Sequence, residues 1–185
     1  MLSSTLFEGR RVRLVPLVPA DAQYLARWQM DADYLRLLDA QDPAYPKTEQ
    51  QLVDWIHDRR RGNTTYLFGI RLQAGDELIG FIELGDILWP HRTSWLAVGI
   101  GDRAQRGQGY GYEALALALD FAFLELNLYR VQLTVFEYNE PAIKLYEKLG
   151  FRREGAFREF MQRDGRRWDM HLYGILAHEW AERSR

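Results

Sequence analysis

A glycine-rich segment between an apolar run and a helical run constrains this chain more than any other feature. Residues 95–100 have the composition of a strand, and three alternating glycines follow at Gly107, Gly109 and Gly111. Residues 113–124 then repeat alanine and leucine in a pattern that favours a helix. Glycines let the backbone approach a ligand closely, and the free N–H groups at a helix start attract anions. The segment therefore predicts a phosphate or diphosphate site.

Composition limits the classes of protein to which the chain can belong. Its 185 residues are 47% apolar and 27% charged, which favours one globular domain, and we expect that domain to span residues 1–185. The net charge of −2 argues against a general nucleic-acid binding surface, which needs a concentrated basic face. The absence of cysteine excludes disulfides and thiolate sites, and the four histidines lack paired metal-ligand spacing. We expect no metal and no nucleic-acid partner.

Neither a targeting segment nor a membrane span is evident in the sequence. The first residues lack a charged-then-apolar signal, and charges interrupt every apolar stretch well before the ~20 residues that a span requires. We therefore expect a cytoplasmic protein that does not contact a membrane.

The pattern of apolar residues predicts a mixed sheet with helices packed on it. A strand near the N-terminus leads to a helix that starts near Pro19, and Thr48 is expected to cap a second helix. After the helix that follows the glycine segment, another helix is expected to follow Asn139 and to end at Gly150, and a last one to begin near Leu176. The predicted strands cover residues 11–15, 65–72, 78–84, 93–100 and 130–136, and two more flank the turn at 164–165.

Two well-known phosphate-binding turns fit the glycine segment poorly. A nucleotide P-loop needs a lysine followed by serine or threonine, and the segment has neither. A dinucleotide turn could use Gly99, Gly101 and Ala104, but Gly107 and Gly109 then fall where its helix should already run. The acidic residue expected about 20 positions later would be Asp120, inside a helix rather than at a strand end. Both alternatives are disfavoured.

Two segments together resemble the GNAT superfamily of N-acetyltransferases. Residues 106–111, Arg-Gly-Gln-Gly-Tyr-Gly, resemble its acyl-coenzyme A loop. Residues 139–151 resemble its second cofactor segment, in which asparagine precedes a helix that carries a tyrosine and ends in Leu-Gly-Phe. Residues 10–17 and the C-terminal residues from Asp164 onward also resemble the branch that contains the ribosomal-protein N-terminal acetyltransferases.

The resemblance implies an α+β fold: a mixed, mostly antiparallel sheet of six to seven strands with helices on both faces. It implies acetyl-CoA as co-substrate, with the pantetheine arm in a gap between the fourth and fifth strands and the diphosphate in the glycine turn. The implied cofactor-binding residues are Val98, Gly99, Ile100, Arg106, Gly107, Gln108, Gly109, Tyr110, Gly111, Tyr112, Asn139 and Tyr146. Arg103 is a weaker candidate for a phosphate contact.

The implied reaction is direct attack of a neutral amine on the thioester. Tyr146 would protonate the departing thiolate, because tyrosine is neutral at pH 7. No carboxylate occurs between Thr93 and Ile100, so the base is open. Glu83, which alternates with Ile79 and Phe81, is the first candidate; Asp86, Glu137 and a water relay are the others.

The acceptor is expected to be a primary amine, either a protein N-terminus or a small molecule. Four acidic residues in the first sixty could attract a cation, although they also suit a solvated loop. They are Asp31, Asp33, Asp39 and Asp42. A catalytically silent acyl-CoA sensor or interaction module is the alternative function, and the aromatic content of 14% is compatible with a homodimer face.

Overall fold

The computed structural model describes residues 6–38 and 43–183, and it contains one seven-stranded mixed sheet. The strand order is β1-β2-β3-β4-β5-β7-β6, in which β4 and β5 run parallel and every other neighbouring pair is antiparallel. The strands are β1 (Val12–Pro16), β2 (Tyr66–Leu72), β3 (Leu78–Leu88), β4 (Thr93–Ile100), β5 (Arg130–Phe136), β6 (Arg152–Arg163) and β7 (Arg166–Leu176).

Six α-helices cover the sheet. They are α1 (Ala22–Trp28), α2 (Ala32–Leu38), α3 (Glu49–Arg59), α4 (Tyr110–Asp120), α5 (Glu140–Lys148) and α6 (Ala177–Arg183). Short 3-10 turns at Pro19–Asp21 and Arg103–Gln105 and a π-helical turn at Phe121–Glu125 complete the described elements. Every helix in the described ranges is too short or too polar to cross a bilayer.

Two apolar clusters show that helices pack on both faces. Leu25, Ile56 and Phe81 belong to the smaller cluster, which joins α1 and α3 to the sheet. Leu115 and Tyr146 belong to the larger cluster, which joins α4 and α5 to the opposite face. Burying apolar side chains from both layers is the main favourable term for such a sheet. The expected fold class is confirmed.

The sheet opens between β4 and β5. The two strands pair only over Thr93–Trp95 and Arg130–Gln132, although β4 continues to Ile100 and β5 to Phe136. The far half of β4 therefore has a neighbour, β3, on one edge only. This opening leads directly to the glycine turn at the end of β4.

One local prediction from the sequence is wrong. Ile79 was expected to lie on the same face as Glu83, but it packs in the opposite layer from Phe81. Ile70 and Arg71 of β2 pair with Gly80 and Leu78 of β3, so β3 has one extra residue, a bulge, at this point. A bulge reverses the alternation of side chains between the two faces of a strand.

Candidate active site

The unpaired edge of β4 supplies a backbone surface for an extended ligand. Val98, Gly99 and Ile100 pair with β3 on one side, and the strand pairing with β5 has ended at Trp95. An extended chain lying in this gap can hydrogen-bond with the strand as a neighbouring strand would. Gly99 is buried, and a Cβ there would lie 3.3 Å from the Tyr34 hydroxyl. The structure thus brings together the three strand residues that were expected to contact the pantetheine arm.

The turn after β4 has the backbone of an anion site. Gly107 and Gly109 have φ values of +74° and +83°, a left-handed conformation that side-chain-bearing residues rarely adopt. Gly109 is the N-cap of α4, so the turn leads directly into the helix. The glycines at these two positions are therefore required by the conformation of the turn.

The main-chain donors of this turn are free. Within the described residues, the N–H groups of 107–112 donate to no protein acceptor, and the first N–H bonded in this stretch is that of Glu113, to the Gly109 carbonyl at 3.3 Å. Successive unpaired amides and the positive end of the helix dipole favour a phosphate group. Gly107, Gln108, Gly109, Tyr110, Gly111 and Tyr112 supply these amides.

Arg106 braces the turn from inside the protein. Its Nε donates to the Ile100 carbonyl at 3.0 Å and its Nη2 to the Gly101 carbonyl at 2.8 Å. Its Nη1 lies 2.9 Å from Asp31 Oδ2, and its own N–H donates to the Arg103 carbonyl. The guanidinium therefore holds the end of β4 against the segment before α2, instead of pointing freely toward a ligand.

The Arg106 contact also fixes the charge of Asp31. Burial alone favours the neutral acid, but the hydrogen bond and the charge of Arg106 outweigh it and lower the pKa of Asp31. Tyr34 packs beneath the guanidinium, 5.6 Å from ring centre to Cζ, and burial raises its pKa. A Cβ at Gly101 would collide with the Trp28 indole, so this corner has no room for a larger residue.

Tyr146 lies in the larger apolar cluster on α5. It packs edge-on against Phe151, with ring centres 5.8 Å apart. Its hydroxyl has no protein hydrogen-bond partner among the residues that the structure describes. Burial raises the pKa of Tyr146 to about 12, so the hydroxyl keeps its proton at any working pH. A protonated hydroxyl without a protein acceptor is suited to donating to a ligand.

Two further predicted cofactor residues lie at helix starts. Asn139 caps α5, and its Oδ1 accepts from the Ala142 N–H at 3.4 Å. Helix capping is the usual structural role of an asparagine at this position. Within the described residues its side-chain amide nitrogen donates to no protein acceptor. Tyr112 lies in the first turn of α4, where the Lys148 ammonium lies 5.0 Å from its ring centre.

Glu83 lies one strand away from the gap. It is opposite Ala97 of β4, its side chain is 12% exposed, and Arg59 Nη1 lies 3.2 Å from its Oε1. The rival Asp86 is exposed and has a φ of +49° at an irregular part of β3. Of these two carboxylates, Glu83 is the one enclosed between helix α3 and the strand that borders the gap.

Of the four acidic residues that could attract a cation, the structure describes two, Asp31 and Asp33. Asp31 is paired with Arg106, while Asp33 is exposed. Arg36 pairs with Asp164 of the β6–β7 turn at 3.0 Å. Asp39 and Asp42 lie outside the described residues.

Three residues far apart in the sequence converge beside the end of β5. Glu137, Asp169 and His171 each offer a ligand atom, and these atoms lie within 4.8 Å of one another. Histidine spacing could not reveal this cluster, because β5–β7 pairing assembles it. Burial and the charge of Arg153 lower the pKa of His171, despite the two nearby carboxylates.

Comparison with known proteins identifies the family to which the chain belongs. The sequence matches the acetyltransferase (GNAT) domain family over residues 11–152, which is more than half of the chain. The chain belongs to the GNAT acetyltransferase family. It is an acetyl-CoA-dependent N-acetyltransferase that acts on amines, so the expected enzyme class is confirmed.

The similar proteins include polyamine acetyltransferases. The chain is 35% identical over 141 residues to a spermidine N(1)-acetyltransferase from Vibrio cholerae, covering 76% of this chain and 78% of that one. It is 26% identical over 178 residues to an uncharacterized N-acetyltransferase from an SPβ prophage of Bacillus subtilis, covering 96% and 97%. These relatives do not single out the ribosomal-protein branch suggested by the sequence ends.

A solved structure supports the cofactor. The crystal structure of spermidine N-acetyltransferase from Vibrio cholerae, in complex with CoA and spermine, superposes with a TM-score of 0.84. It is 25% identical in sequence, and the match covers 94% of this chain and 99% of that one. Acetyl-CoA as co-substrate therefore agrees with the fold and with a relative that binds CoA.

Proposed function

We propose that this acetyltransferase modifies a small primary amine of the polyamine class, with Tyr146 as general acid. The observation that carries the proposal is the gap between β4 and β5, which ends at the free amides of residues 107–112. An acyl carrier whose diphosphate occupies this turn can extend its arm along Val98–Ile100. Its thioester then lies within the sheet, toward α5.

The charge near the turn supports a cationic acceptor. A cavity of about 510 Å³ beside α1 and residues 101–103 is lined by four carboxylates and two arginines. The carboxylates are those of Asp31, Asp33, Glu77 and Asp102. Because Arg106 pairs with Asp31, the three other carboxylates exceed the two arginines by one charge. An excess of negative charge raises the local concentration of polycations and speeds their encounter. The polyamine names of two relatives point to the same chemistry.

The proposed step is one acyl transfer. The amine nitrogen attacks the carbonyl carbon, a C–N bond forms, and the C–S bond breaks. The thiolate takes the proton of the Tyr146 hydroxyl, while the amine proton passes to a base. The high pKa of Tyr146 keeps that proton in place until the thiolate develops.

Glu83 is the proposed base, acting directly or through water. An alkyl ammonium near pKa 10.4 is mostly charged at pH 7, so deprotonation limits attack by a polyamine more than attack by a protein N-terminus near 7.7–8.0. The Glu83 carboxylate, with Arg59 Nη1 3.2 Å from its Oε1, is the proposed acceptor of that proton. The pair lies next to Ala97, on the strand that borders the gap.

An acceptor screen tests the function. Acetyl-CoA would be mixed with spermidine, spermine, an amino sugar or a short peptide with a free N-terminus, and the released thiol measured; the chain contributes no cysteine background. We expect turnover with spermidine or spermine to exceed that with the peptide. A preference for the peptide would return the chain to the ribosomal-protein branch. Tight acetyl-CoA binding without any acceptor would favour the silent sensor.

A further inference from the structure

Arg11, just before β1, lies at the rim of the glycine turn. Its Nη1 donates to the Gln108 carbonyl at 2.9 Å. Its Nη2 lies 3.0 Å from the position that a Cβ would take on Gly109, and its guanidinium lies 5.0 Å from the Tyr110 ring centre. The fold places its charge directly beside the free amides of the turn.

Glu113 holds this guanidinium in place. Its Oε2 accepts from Arg11 Nε at 3.1 Å, and its Oε1 accepts from the N–H groups of Arg11 at 2.6 Å and Val12 at 3.3 Å. Burial would raise the pKa of Glu113, but these donors outweigh it and lower the pKa. The carboxylate is therefore ionised and committed to the backbone and side chain at the start of β1.

The arrangement leaves one arginine donor directed at the turn. Nη2 of Arg11 has no acceptor among the residues that the structure describes, and the side chain is 47% exposed. A carboxylate in the first turn of α4 would repel a diphosphate bound there. The adjacent guanidinium offsets that charge and presents a fixed N–H to the same space.

We propose that Arg11 is a phosphate ligand of acetyl-CoA, contacting its diphosphate, and that Glu113 is a positioning residue for Arg11. This inference rests on the proposed placement of the diphosphate in the turn at 107–112. The diphosphate is favoured over the 3′-phosphate because the guanidinium hydrogen-bonds to the turn's own carbonyl at Gln108. The requirement for glycine at 109 then has a second reason, since a methyl group would press on Arg11.

Calorimetric titration with CoA tests the inference on the purified full chain. Arg11→Gln should weaken CoA binding about 10- to 100-fold, the loss of a charge-assisted hydrogen bond and its charge. Arg11→Lys keeps the positive charge but lacks the paired N–H donors of the guanidinium, so it should weaken CoA binding less. Arg13→Gln is the matched control, because Arg13 on the same segment pairs with Asp76 of the β2–β3 turn. It should bind CoA within about twofold of the unmodified chain.

Two shortened carriers separate the phosphates and exclude a merely structural role. The loss in Arg11→Gln should persist with 3′-dephospho-CoA, and the KM for S-acetylpantetheine, which has no phosphate, should not change. Disappearance of the loss with 3′-dephospho-CoA would assign Arg11 to the 3′-phosphate and overturn the proposal. An equal loss with S-acetylpantetheine would show that Arg11 only supports the fold.

The failure of this inference is distinguishable from failure of the proposed function. If the unmodified chain binds CoA and both Arg11 variants bind it equally well, the role of Arg11 is wrong and the site stands. If the unmodified chain binds no CoA, the placement of the cofactor itself is wrong. Glu113→Gln should reproduce part of the Arg11→Gln loss, and unchanged affinity in that variant would contradict the positioning role.

Discussion

Replacing Arg106 with alanine should destabilise the protein even when no ligand is bound. The guanidinium bonds to two backbone carbonyls, at 3.0 and 2.8 Å, and pairs with Asp31 at 2.9 Å. Its side chain is 29% exposed and that of Asp31 19%, so water replaces these partners incompletely. If Arg106 were chiefly a phosphate ligand, its replacement would weaken cofactor binding without lowering the stability of the ligand-free protein.

The expected size follows from the three contacts. A hydrogen bond to a charged group contributes about 1.5–3 kcal/mol, and the contributions of one guanidinium do not add fully. We therefore expect Arg106→Ala to lower the free energy of unfolding by about 2–4 kcal/mol. At roughly 2–4 °C per kcal/mol for a chain of this size, Tm should fall by about 5–15 °C.

Thermal unfolding followed by circular dichroism measures this directly. Arg103→Ala is the control, because that exposed side chain forms no described contact, and its Tm should not change. The pKa of Asp31 is lowered in the folded state, so the stability from its pair is present above the unfolded value of about 3.9 and is lost as pH falls through the folded pKa. The Tm difference between the unmodified chain and Arg106→Ala should therefore narrow below pH 4. An unchanged Tm for Arg106→Ala at pH 7 would refute the bracing role.

Three further outcomes test the site. Tyr146→Phe should lower kcat by about 10²- to 10⁴-fold with little change in CoA affinity. In the unmodified enzyme, kcat should show no alkaline decline below about pH 11, because Tyr146 stays protonated. A fully active Tyr146→Phe enzyme would show that Tyr146 is not the general acid. Glu83→Gln should slow polyamine acetylation at pH 7 by about 10²-fold, and its rate should recover as the pH approaches the amine pKa. The control Asp86→Asn should have the rate of the unmodified enzyme. A Glu83→Gln defect of the same size at every pH would show that Glu83 is not the base. Gly109→Ala should weaken CoA binding measured by calorimetry, because φ is +83° and the new methyl would meet Arg11, and undiminished affinity would show that the turn is not the diphosphate site.

Features that depend on neighbouring residues in the chain could be predicted from the sequence. Thr48 and Gln51 form the reciprocal cap of α3, with Thr48 Oγ1 accepting from the Gln51 N–H. Gly150 has a φ of +93° just after α5, as expected of a helix-ending glycine. The strands Thr93–Ile100 and Arg130–Phe136 were predicted with their observed bounds. Each of these signals depends on neighbours within one turn or one strand.

Features that depend on tertiary contacts could not be predicted from the sequence. The sequence shows that Arg106 precedes the glycines, but not that Asp31 and two carbonyls take its guanidinium. The bulge that moves Ile79 away from Glu83 interrupts the strict alternation on which the sequence prediction depended. Arg11 reaches the turn across about a hundred positions of sequence because β1 packs against α4. The roles of Tyr146, Asn139 and Glu83 toward substrate stay predictions.

A crystal structure of the chain grown with acetyl-CoA would show where the carrier binds. We expect diphosphate oxygens about 3 Å from the main-chain nitrogens of residues 107–112. We also expect the pantetheine arm along Val98–Ile100 and the sulfur beside the Tyr146 hydroxyl. A carrier bound elsewhere, with the gap between β4 and β5 empty, would show that the proposed placement of the cofactor is wrong.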